Sequence, residues 1–321
     1  MLLKRKSVLV TGGAGFIGSH LVDRLAQEQP DNLVVVDNFF LGKESNLKDA
    51  RALCPALKVY NQDASDQDAM RKLFEVESVE VVFNLAVVPL PASLVRPRWA
   101  FEQNVGIALS MCELAREDRF ETLIHFSSSE AYGSSEYAPM DEKHPSMCTT
   151  SYAASKAASD QLVFSYCNCF GIDASIVRPF NNYGPRQNVR SYAGVVPLTI
   201  KRILKGEPPV IYGDGKQTRD YLFVTDTADA AVKVYDCKNT RSKALNIASG
   251  KETSIEFLVR AIAEYLGSTK GIVYEAERAG DVRRHIANTY LAEDLLSFRP
   301  TVDLKQGLGI TIDWYRKEPG A

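Results

Sequence analysis

The stretch that decides the fold is Val8–Gly18, which reads VLVTGGAGFIG. A short apolar run leads into Gly13, Gly15 and Gly18, the spacing G-x-G-x-x-G, and a helical stretch follows. Glycines at this spacing permit a tight turn, a close approach of backbone to a pyrophosphate, and close packing of a helix on a strand. The stretch therefore predicts a strand, a phosphate-binding turn and the start of a helix.

Carboxylates follow the next two apolar runs. Asp37 comes directly after the second run, where it can accept hydrogen bonds from both ribose hydroxyls and would repel a 2′-phosphate, which favours NAD over NADP. Asp63 closes the third run and could meet the adenine or cap the following helix. We therefore predict NAD as the cofactor. The residues predicted here to contact it are Gly12, Gly15, Phe16, Ile17, Gly18, Asp37, Asn38, Asp63, Ala64, Leu85 and Ala86.

Apolar runs alternate with helical stretches through the first half of the chain. The runs are Val8–Val10, Leu33–Val36, Leu57–Tyr60, Val79–Phe83, Leu123–Phe126 and Ala174–Val177, and they are nearly continuous, as in parallel strands covered on both faces. The helical candidates between them are Phe16–Gln27, Asp66–Phe74, Trp99–Arg116 and Tyr152–Phe170. This order predicts an α/β fold with a Rossmann-type doubly wound parallel sheet.

The texture of the sequence changes after Pro179, where glycines and prolines interrupt the chain. Mixed short strands and helices are expected beyond that point. We predict a Rossmann domain over residues 1–178 and a smaller mixed α/β substrate lobe over residues 179–321. Residues 225–250 are expected to return to the larger domain.

The composition excludes several classes of protein. The net charge of the 321 residues is -2, which offers no basic field for nucleic acid. No apolar run approaches the ~18 residues that span a bilayer, so we expect a cytoplasmic protein without membrane contact. The four histidines and six cysteines show no ligand spacing, so no metal site is predicted.

Tyr152 and Lys156 form the pattern that carries catalysis, because their spacing puts them on one face of a helix. A phenol has a pKa near ~10, and a nearby ammonium together with the positive nicotinamide ring favours the phenolate. Tyr152 could then take a proton from a sugar hydroxyl, which Ser128 would share. Glu130 suggests a further step after oxidation, or it caps the next turn.

Several segments give the chain a resemblance to the extended short-chain dehydrogenase/reductase family, over nearly its whole length. These are the nucleotide-sugar epimerases, dehydratases and decarboxylases. The segments Arg178–Gln187, Tyr212–Tyr221 and Arg278–Asp281 resemble the family's RxFNxYGP, GDGxQxRDY and RxGD motifs, and Asn104 matches its N-x-x-G/A helix. The resemblance implies that Asn104 lies in the cofactor site. It implies a nucleotide-diphosphate sugar, UDP-linked, held by Asn181, Arg186, Val196, Tyr212, Gln217, Arg219, Arg278 and Asp281.

The resemblance does not decide which reaction of the family this chain catalyses. All family reactions begin with oxidation of the sugar at C4, and we predict Tyr152, Lys156, Ser128, Ser129 and Glu130 as the catalytic residues. Ser-Ser-Glu is similar to the Thr-Ser-Glu of the UDP-glucuronate decarboxylases, whereas dehydratases have Thr-Asp-Glu. Decarboxylation is therefore ranked first, 4-epimerisation second and dehydration third.

Two further expectations complete the sequence-based account. An NAD-bound regulator without catalysis is the non-enzymatic alternative, and the intact Ser128, Tyr152 and Lys156 argue against it. The helices Trp99–Arg116 and Tyr152–Phe170 correspond to those that form a four-helix interface in the family. The resemblance therefore implies a homodimer.

Overall fold

A parallel sheet of seven strands forms the centre of the computed structural model, which describes residues 3–189, 194–277 and 282–318. The first six strands are β1 (Ser7–Thr11), β2 (Asn32–Asp37), β3 (Lys58–Asn61), β4 (Val81–Asn84), β5 (Thr122–Phe126) and β6 (Ala174–Pro179). They lie in the order β3-β2-β1-β4-β5-β6, and every neighbouring pair is parallel. The order reverses direction at β1, which is the topology of a doubly wound sheet, and the predicted fold class is confirmed.

Helices cover both faces of this sheet. They are α1 (Phe16–Gln27), α2 (Lys48–Leu53), α3 (Gln67–Val76), α4 (Leu90–Val95), α5 (Pro97–Arg116) and α6 (Ser151–Phe170), with short 3₁₀ turns at Glu44–Leu47 and Ser129–Tyr132. Successive residues of a strand point to opposite faces. Val8 and Val10 accordingly join one apolar cluster and Leu9 joins another. Because both faces are buried, each strand is apolar throughout.

Local side-chain chemistry sets several helix ends. The side chains of Asp66, Thr150, Ser254 and Asp303 each accept a hydrogen bond from a backbone N–H in the first turn of the helix that they precede. Gly171 ends α6 with a φ of 69°, a left-handed conformation that glycine adopts without strain. These caps fix where Tyr152 and the other residues of α6 lie along the helix.

The second half of the chain builds a smaller group of strands and helices and also completes the large sheet. Its strands are β7 (Asn181–Tyr183), β8 (Val210–Tyr212), β9 (Thr218–Phe223), β10 (Ala244–Ile247), β11 (Glu252–Ser254), β12 (Val273–Glu275) and β13 (Arg284–His285). Its helices are α7 (Val195–Leu204), α8 (Val224–Asp236), α9 (Ile255–Tyr265), α10 (Tyr290–Leu296) and α11 (Leu304–Lys317), with a 3₁₀ turn at Lys238–Thr240.

Two of these elements lie on the large sheet. β10 pairs in parallel with β6 and becomes its edge strand, and α8 packs on the same apolar cluster as α1. β7, β11 and β13 instead gather around β9, with a separate apolar core that includes Tyr183, Ile200 and Leu258. No helix in the described part of the chain is long and apolar enough to cross a membrane.

Candidate active site

The glycine turn after β1 brings three segments of backbone close together. Gly12 has a φ of 66°, and a Cβ there would lie 2.7 Å from the backbone nitrogen of Ala86. A Cβ on Gly18 would lie 2.1 Å from the carbonyl oxygen of Gly12. Only glycine fits at either position. Without these side chains, the first turn of α1 can lie directly against the glycine turn. Its first backbone N–H groups have no intrahelical acceptor and can bind an anion there.

Asp37 is fixed beside this turn. Its side chain is buried, and its two carboxylate oxygens accept hydrogen bonds from the backbone N–H groups of Ala14 (2.9 Å) and Phe39 (2.8 Å). Burial raises the pKa of the Asp37 carboxyl, and these backbone hydrogen bonds oppose that rise. The carboxylate is therefore tied to the glycine turn at the point where a ribose would approach.

Asp63 lies at the neighbouring strand end. One of its oxygens accepts from the backbone N–H (2.9 Å) and the hydroxyl (2.7 Å) of Ser65, and the other accepts from the Asn38 side-chain amide at 3.4 Å. The N-cap of α3 is Asp66, not Asp63. Asp63 therefore shapes the turn before the helix and keeps its carboxylate at the edge of the sheet.

A cleft of about 400 Å³ runs along this edge from the glycine turn to Tyr152. Eleven of the residues predicted to bind the cofactor line it, together with Tyr152 and Lys156; the eleven are Gly12, Gly15, Phe16, Ile17, Gly18, Asp37, Asn38, Asp63, Ala64, Leu85 and Ala86. The sequence reasoning missed Phe40, Gln62, Trp99, Gln103 and Ile107, which also line it. The last three recur every four residues on α5, so the helical spacing could have identified them.

NAD fits the residues of this cleft. A pyrophosphate needs backbone N–H groups that no side chain obstructs, and the turn at Gly12 and Gly18 supplies them. Asp37 offers a fixed carboxylate for ribose hydroxyls, and Tyr152 and Lys156 lie at the far end of the same cleft. The arrangement is that of a dinucleotide site whose reactive end meets a tyrosine and a lysine.

The five residues predicted to be catalytic converge at that end. Ser128, Ser129, Glu130, Tyr152 and Lys156 all line the cleft. The strand β5 ends at Phe126, and the 3₁₀ turn that follows is capped by the Ser128 hydroxyl, which accepts from the backbone N–H of Glu130 at 3.2 Å. Glu130 therefore both belongs to a capped turn and faces the cleft.

Burial of the Tyr152 phenol opposes the fall in its pKa that Lys156 and the nicotinamide ring are expected to cause. Burial raises the pKa of Tyr152 to about 12, the charge of Glu130 adds to the rise, and a hydrogen bond with Ser128 opposes it. Lys156 donates a hydrogen bond to the carbonyl oxygen of Phe126 (2.5 Å), and burial lowers its pKa to about 8. The positive nicotinamide ring of a bound cofactor would add the field that favours the phenolate.

Asn104 does not line the cleft, although the resemblance implied that it lies in the cofactor site. Its side-chain oxygen accepts from the backbone N–H of Val88 (2.7 Å), and its amide nitrogen donates to the carbonyl of Val88 (3.1 Å) and to the Ser155 hydroxyl (2.9 Å). The buried amide is fully used in tying the loop after β4 to α6. Asn104 therefore shapes the cleft indirectly.

The residues implied to bind the substrate are not all brought together. Asn181 lines the cleft. Arg186 lies outside it, because its guanidinium is engaged by Asp23 and Asp49, each at 2.6 Å. The prediction that Arg186 holds the sugar diphosphate is therefore corrected by the structure: the arginine ties the loop after β7 to α1 and α2. The motif around Arg186 contains no acidic residue, and its partners Asp23 and Asp49 are far away in sequence, so the sequence did not indicate these ion pairs.

The remaining substrate candidates lie in the smaller lobe. Val196 is buried in its apolar core, so it packs and does not face the cleft. The side-chain amide of Gln217 donates to the carbonyl of Tyr212 (2.7 Å), and buried Arg219 donates to the carbonyl of Val282 (2.5 Å). None of these four candidates, Val196, Tyr212, Gln217 and Arg219, lines the cleft. Arg278 and Asp281 lie outside the described residues.

The fold and the cleft together define a dinucleotide-dependent enzyme. The NAD dependent epimerase/dehydratase family matches residues 8–248 of the chain. A putative UDP-glucose 4-epimerase of Methanocaldococcus jannaschii is 34% identical over 311 residues, with 96% of this chain and 98% of that protein covered. A UDP-N-acetyl-alpha-D-glucosaminuronate decarboxylase of Bacillus cytotoxicus is 30% identical over 325 residues, with 98% of each covered.

A solved structure is similar to this chain over nearly its whole length. The crystal structure of UDP-glucose 4-epimerase from Thermotoga maritima with UDP-glucose has a TM-score of 0.91 and 31% identity, with 98% of this chain and 99% of that chain covered. The chain belongs to the NAD-dependent epimerase/dehydratase family, which confirms the predicted resemblance and NAD as the cofactor.

A change at Asp37 should alter the choice of cofactor. In the unmodified protein we expect NAD to bind more tightly than NADP by about 2–3 kcal/mol, or about 30–150-fold, because a 2′-phosphate would meet a fixed carboxylate. Asp37→Asn should narrow this ratio to less than about tenfold. Isothermal titration with both cofactors measures it. Asp31→Asn, an exposed position just before β2, is the matched control and should leave the ratio unchanged.

Proposed function

We propose that this chain is a UDP-hexose 4-epimerase, which oxidises the sugar at C4 and then reduces the 4-keto sugar from its other face. The proposal rests on the few charged side chains at the end of the cleft that contains Tyr152. Lys156 is the only cationic side chain that lines the cleft among the described residues, and it is held by the carbonyl of Phe126. Glu130 lines the same end. Such a site suits a neutral hexose.

The roles of the side chains follow from their positions. Tyr152 takes the proton of the C4 hydroxyl, and Ser128 shares a hydrogen bond with that hydroxyl and with the phenol. Lys156 supplies positive charge beside the phenolate that takes this proton. Bound NAD supplies the hydride acceptor and donor. The phenol returns the same proton after the keto sugar has turned, so the protein ends the cycle unchanged.

The same charges argue against decarboxylation, which the Ser-Ser-Glu sequence placed first. A uronate substrate carries a carboxylate at C5, and the only cationic side chain that lines the cleft among the described residues, Lys156, is already bound to the carbonyl of Phe126. Because one relative is a decarboxylase, decarboxylation is tested as an alternative in the product experiment below. Dehydration is the second candidate, because Glu130 lines the cleft, and a carboxylate there could take the C5 proton from a 4-keto sugar.

Mass spectrometry and chromatography of the products distinguish these reactions. The purified protein is incubated with NAD and UDP-glucose, UDP-N-acetylglucosamine or UDP-glucuronate. We expect an isomer of unchanged mass and altered retention from one of the first two. Loss of carbon dioxide from the third, or loss of water from either of the others, would refute the epimerase proposal. Binding of NAD without any product would favour the regulator.

Glu130→Gln separates epimerisation from dehydration within one protein. If Glu130 has no step of its own, the overall rate should change by less than about tenfold. The acid limb of the pH profile should move to lower pH, because the Glu130 charge raises the pKa of Tyr152 and a base is active only when deprotonated. A variant that reduces NAD and then stalls would contradict epimerisation. Glu136→Gln, an exposed position in the following loop, is the control.

The homodimer through α5 and α6 and the cytoplasmic location stay predictions. The sedimentation mass of the purified protein tests the first: twice the mass of one chain supports it, and the mass of a single chain contradicts it.

A further inference from the structure

A buried charged network lies directly behind the catalytic residues and has no part in the steps above. Asp160 is one helical turn after Lys156 on α6, and both side chains are buried. One Asp160 oxygen accepts from the Ser127 hydroxyl (2.8 Å) and from the Arg178 guanidinium (2.9 Å). The other, Oδ1, has no hydrogen-bond partner among the described residues. A buried carboxylate with a free oxygen needs further positive charge nearby.

The network connects every element that carries a catalytic side chain. Ser127 immediately precedes Ser128, and the carbonyl of Phe126, one residue earlier, accepts the hydrogen bond of Lys156. Arg178 on β6 also donates to the Tyr132 hydroxyl at 2.9 Å, at the end of the 3₁₀ turn that contains Glu130. Asp160 and Arg178 therefore join α6, the end of β5, β6 and this turn through hydrogen bonds, one of which is also an ion pair.

We propose that Asp160 is a positioning residue for the reaction, which holds the end of β5 and keeps the Lys156 ammonium charged inside the protein. The proposal rests on the proposed roles of Tyr152 and Lys156. Lys156 is one turn away on the same face of α6, so the free oxygen of Asp160 and the ammonium lie within reach of each other's field. Arg178 favours the ionised form of Asp160, because its guanidinium stays positive in proteins and lies 2.9 Å from the carboxylate.

The directions of the pKa shifts agree with this role. Burial lowers the pKa of Lys156, and the Asp160 charge is the influence that opposes this fall. Burial raises the pKa of Asp160, and Arg178, Ser127 and Lys156 oppose that rise. The other titratable or charged groups around Lys156 are Tyr152 on α6, Glu130 on the 3₁₀ turn, and His125 on β5, whose own pKa is lowered by burial and by Lys156.

Removal of the Asp160 charge should move the whole pH profile of sugar oxidation. The active form has Tyr152 deprotonated and Lys156 protonated. A negative charge at Asp160 raises the pKa of both groups. Asp160→Asn should therefore shift the acid limb and the basic limb together to lower pH, by about one pH unit. A purely structural lesion would lower the height of the profile and leave its position unchanged.

Ser127→Ala is the matched control, since it removes one hydrogen bond of the network and leaves the charge in place. Its profile should keep the position of the unmodified protein. Asp160→Asn leaves Arg178 buried without a counter-charge and could fail to fold. The double variant Asp160→Asn/Arg178→Gln then replaces it, because two amides can pair without charge. It should show the same shift to lower pH, since Asp160 is the charge that acts on Lys156.

A readout that needs no sugar separates this proposal from the proposed function. The ultraviolet tyrosinate titration of the NAD-bound protein, minus that of the same protein with Tyr152→Phe, follows the ionisation of Tyr152 alone. Asp160→Asn should move that ionisation to lower pH by about one unit, even if no sugar nucleotide tested is turned over. An unmoved titration and an unmoved pH profile in a folded variant would overturn the role of Asp160.

Discussion

Tyr152→Phe is expected to slow oxidation of the sugar by about 10²–10⁴-fold. The substitution removes the phenol oxygen that we propose takes the C4 proton, and it leaves the ring that fills the buried end of the cleft. NAD affinity and the KM for the sugar nucleotide should therefore stay within a few-fold of those of the unmodified protein. Single-turnover measurement of NAD reduction gives the chemical rate directly.

The control for this substitution is Tyr290→Phe. Tyr290 is 71% exposed at the start of α10, outside the cleft, so the loss of its hydroxyl should leave the rate unchanged. A Tyr152→Phe variant that oxidises the sugar at a normal rate would remove the phenol from the mechanism. Glu130 or a bound water would then have to take the proton.

Gly18→Ala is expected to weaken NAD binding by at least about tenfold and to lower the melting temperature. The added Cβ would lie 2.1 Å from the Gly12 carbonyl oxygen and 2.9 Å from its carbonyl carbon, both of them backbone atoms. The helix must therefore move away from the turn, and such overpacking costs about 1–3 kcal/mol. Because the pyrophosphate site is made by that same backbone, affinity and stability should fall together.

Gly271→Ala is the matched control, because a Cβ there meets nothing within 4 Å and the φ is not left-handed. Its melting temperature and NAD affinity should equal those of the unmodified protein. Isothermal titration and thermal unfolding measure the two quantities. Undiminished NAD affinity in Gly18→Ala would show that the pyrophosphate does not lie at this turn.

The large sheet could be predicted from the sequence because its signals are local. Parallel strands buried on both faces are continuous apolar runs, and Val8–Gly18 carries a turn that only glycine permits. Tyr152 and Lys156 could be paired for the same reason, since four residues along a helix make neighbours. The predicted strands and helices accordingly differ from the observed ones mainly at their ends.

The parts that could not be predicted depend on residues distant in sequence. Arg186 pairs with Asp23 and Asp49, which are more than a hundred residues away in sequence. The side-chain amide of Asn104 forms hydrogen bonds with Val88 and Ser155. Both residues were predicted to lie in the site because they match family motifs, and the motifs do not show these partners. The sequence also did not show that the Tyr152 phenol is buried, and this burial raises its pKa against the expected effect of Lys156 and the nicotinamide ring.

The most direct test of 4-epimerisation through C4 oxidation uses deuterium at C4 of whichever substrate the protein isomerises, UDP-glucose or UDP-N-acetylglucosamine. We expect a primary isotope effect on NAD reduction in a single turnover, with the deuterium recovered at C4 of the 4-epimer made in ordinary water. That result requires the hydrogen to leave C4, to be held in the site and to return to the opposite face. Formation of the 4-epimer with no isotope effect and no reduced NAD would contradict a mechanism in which Tyr152 and NAD oxidise the sugar.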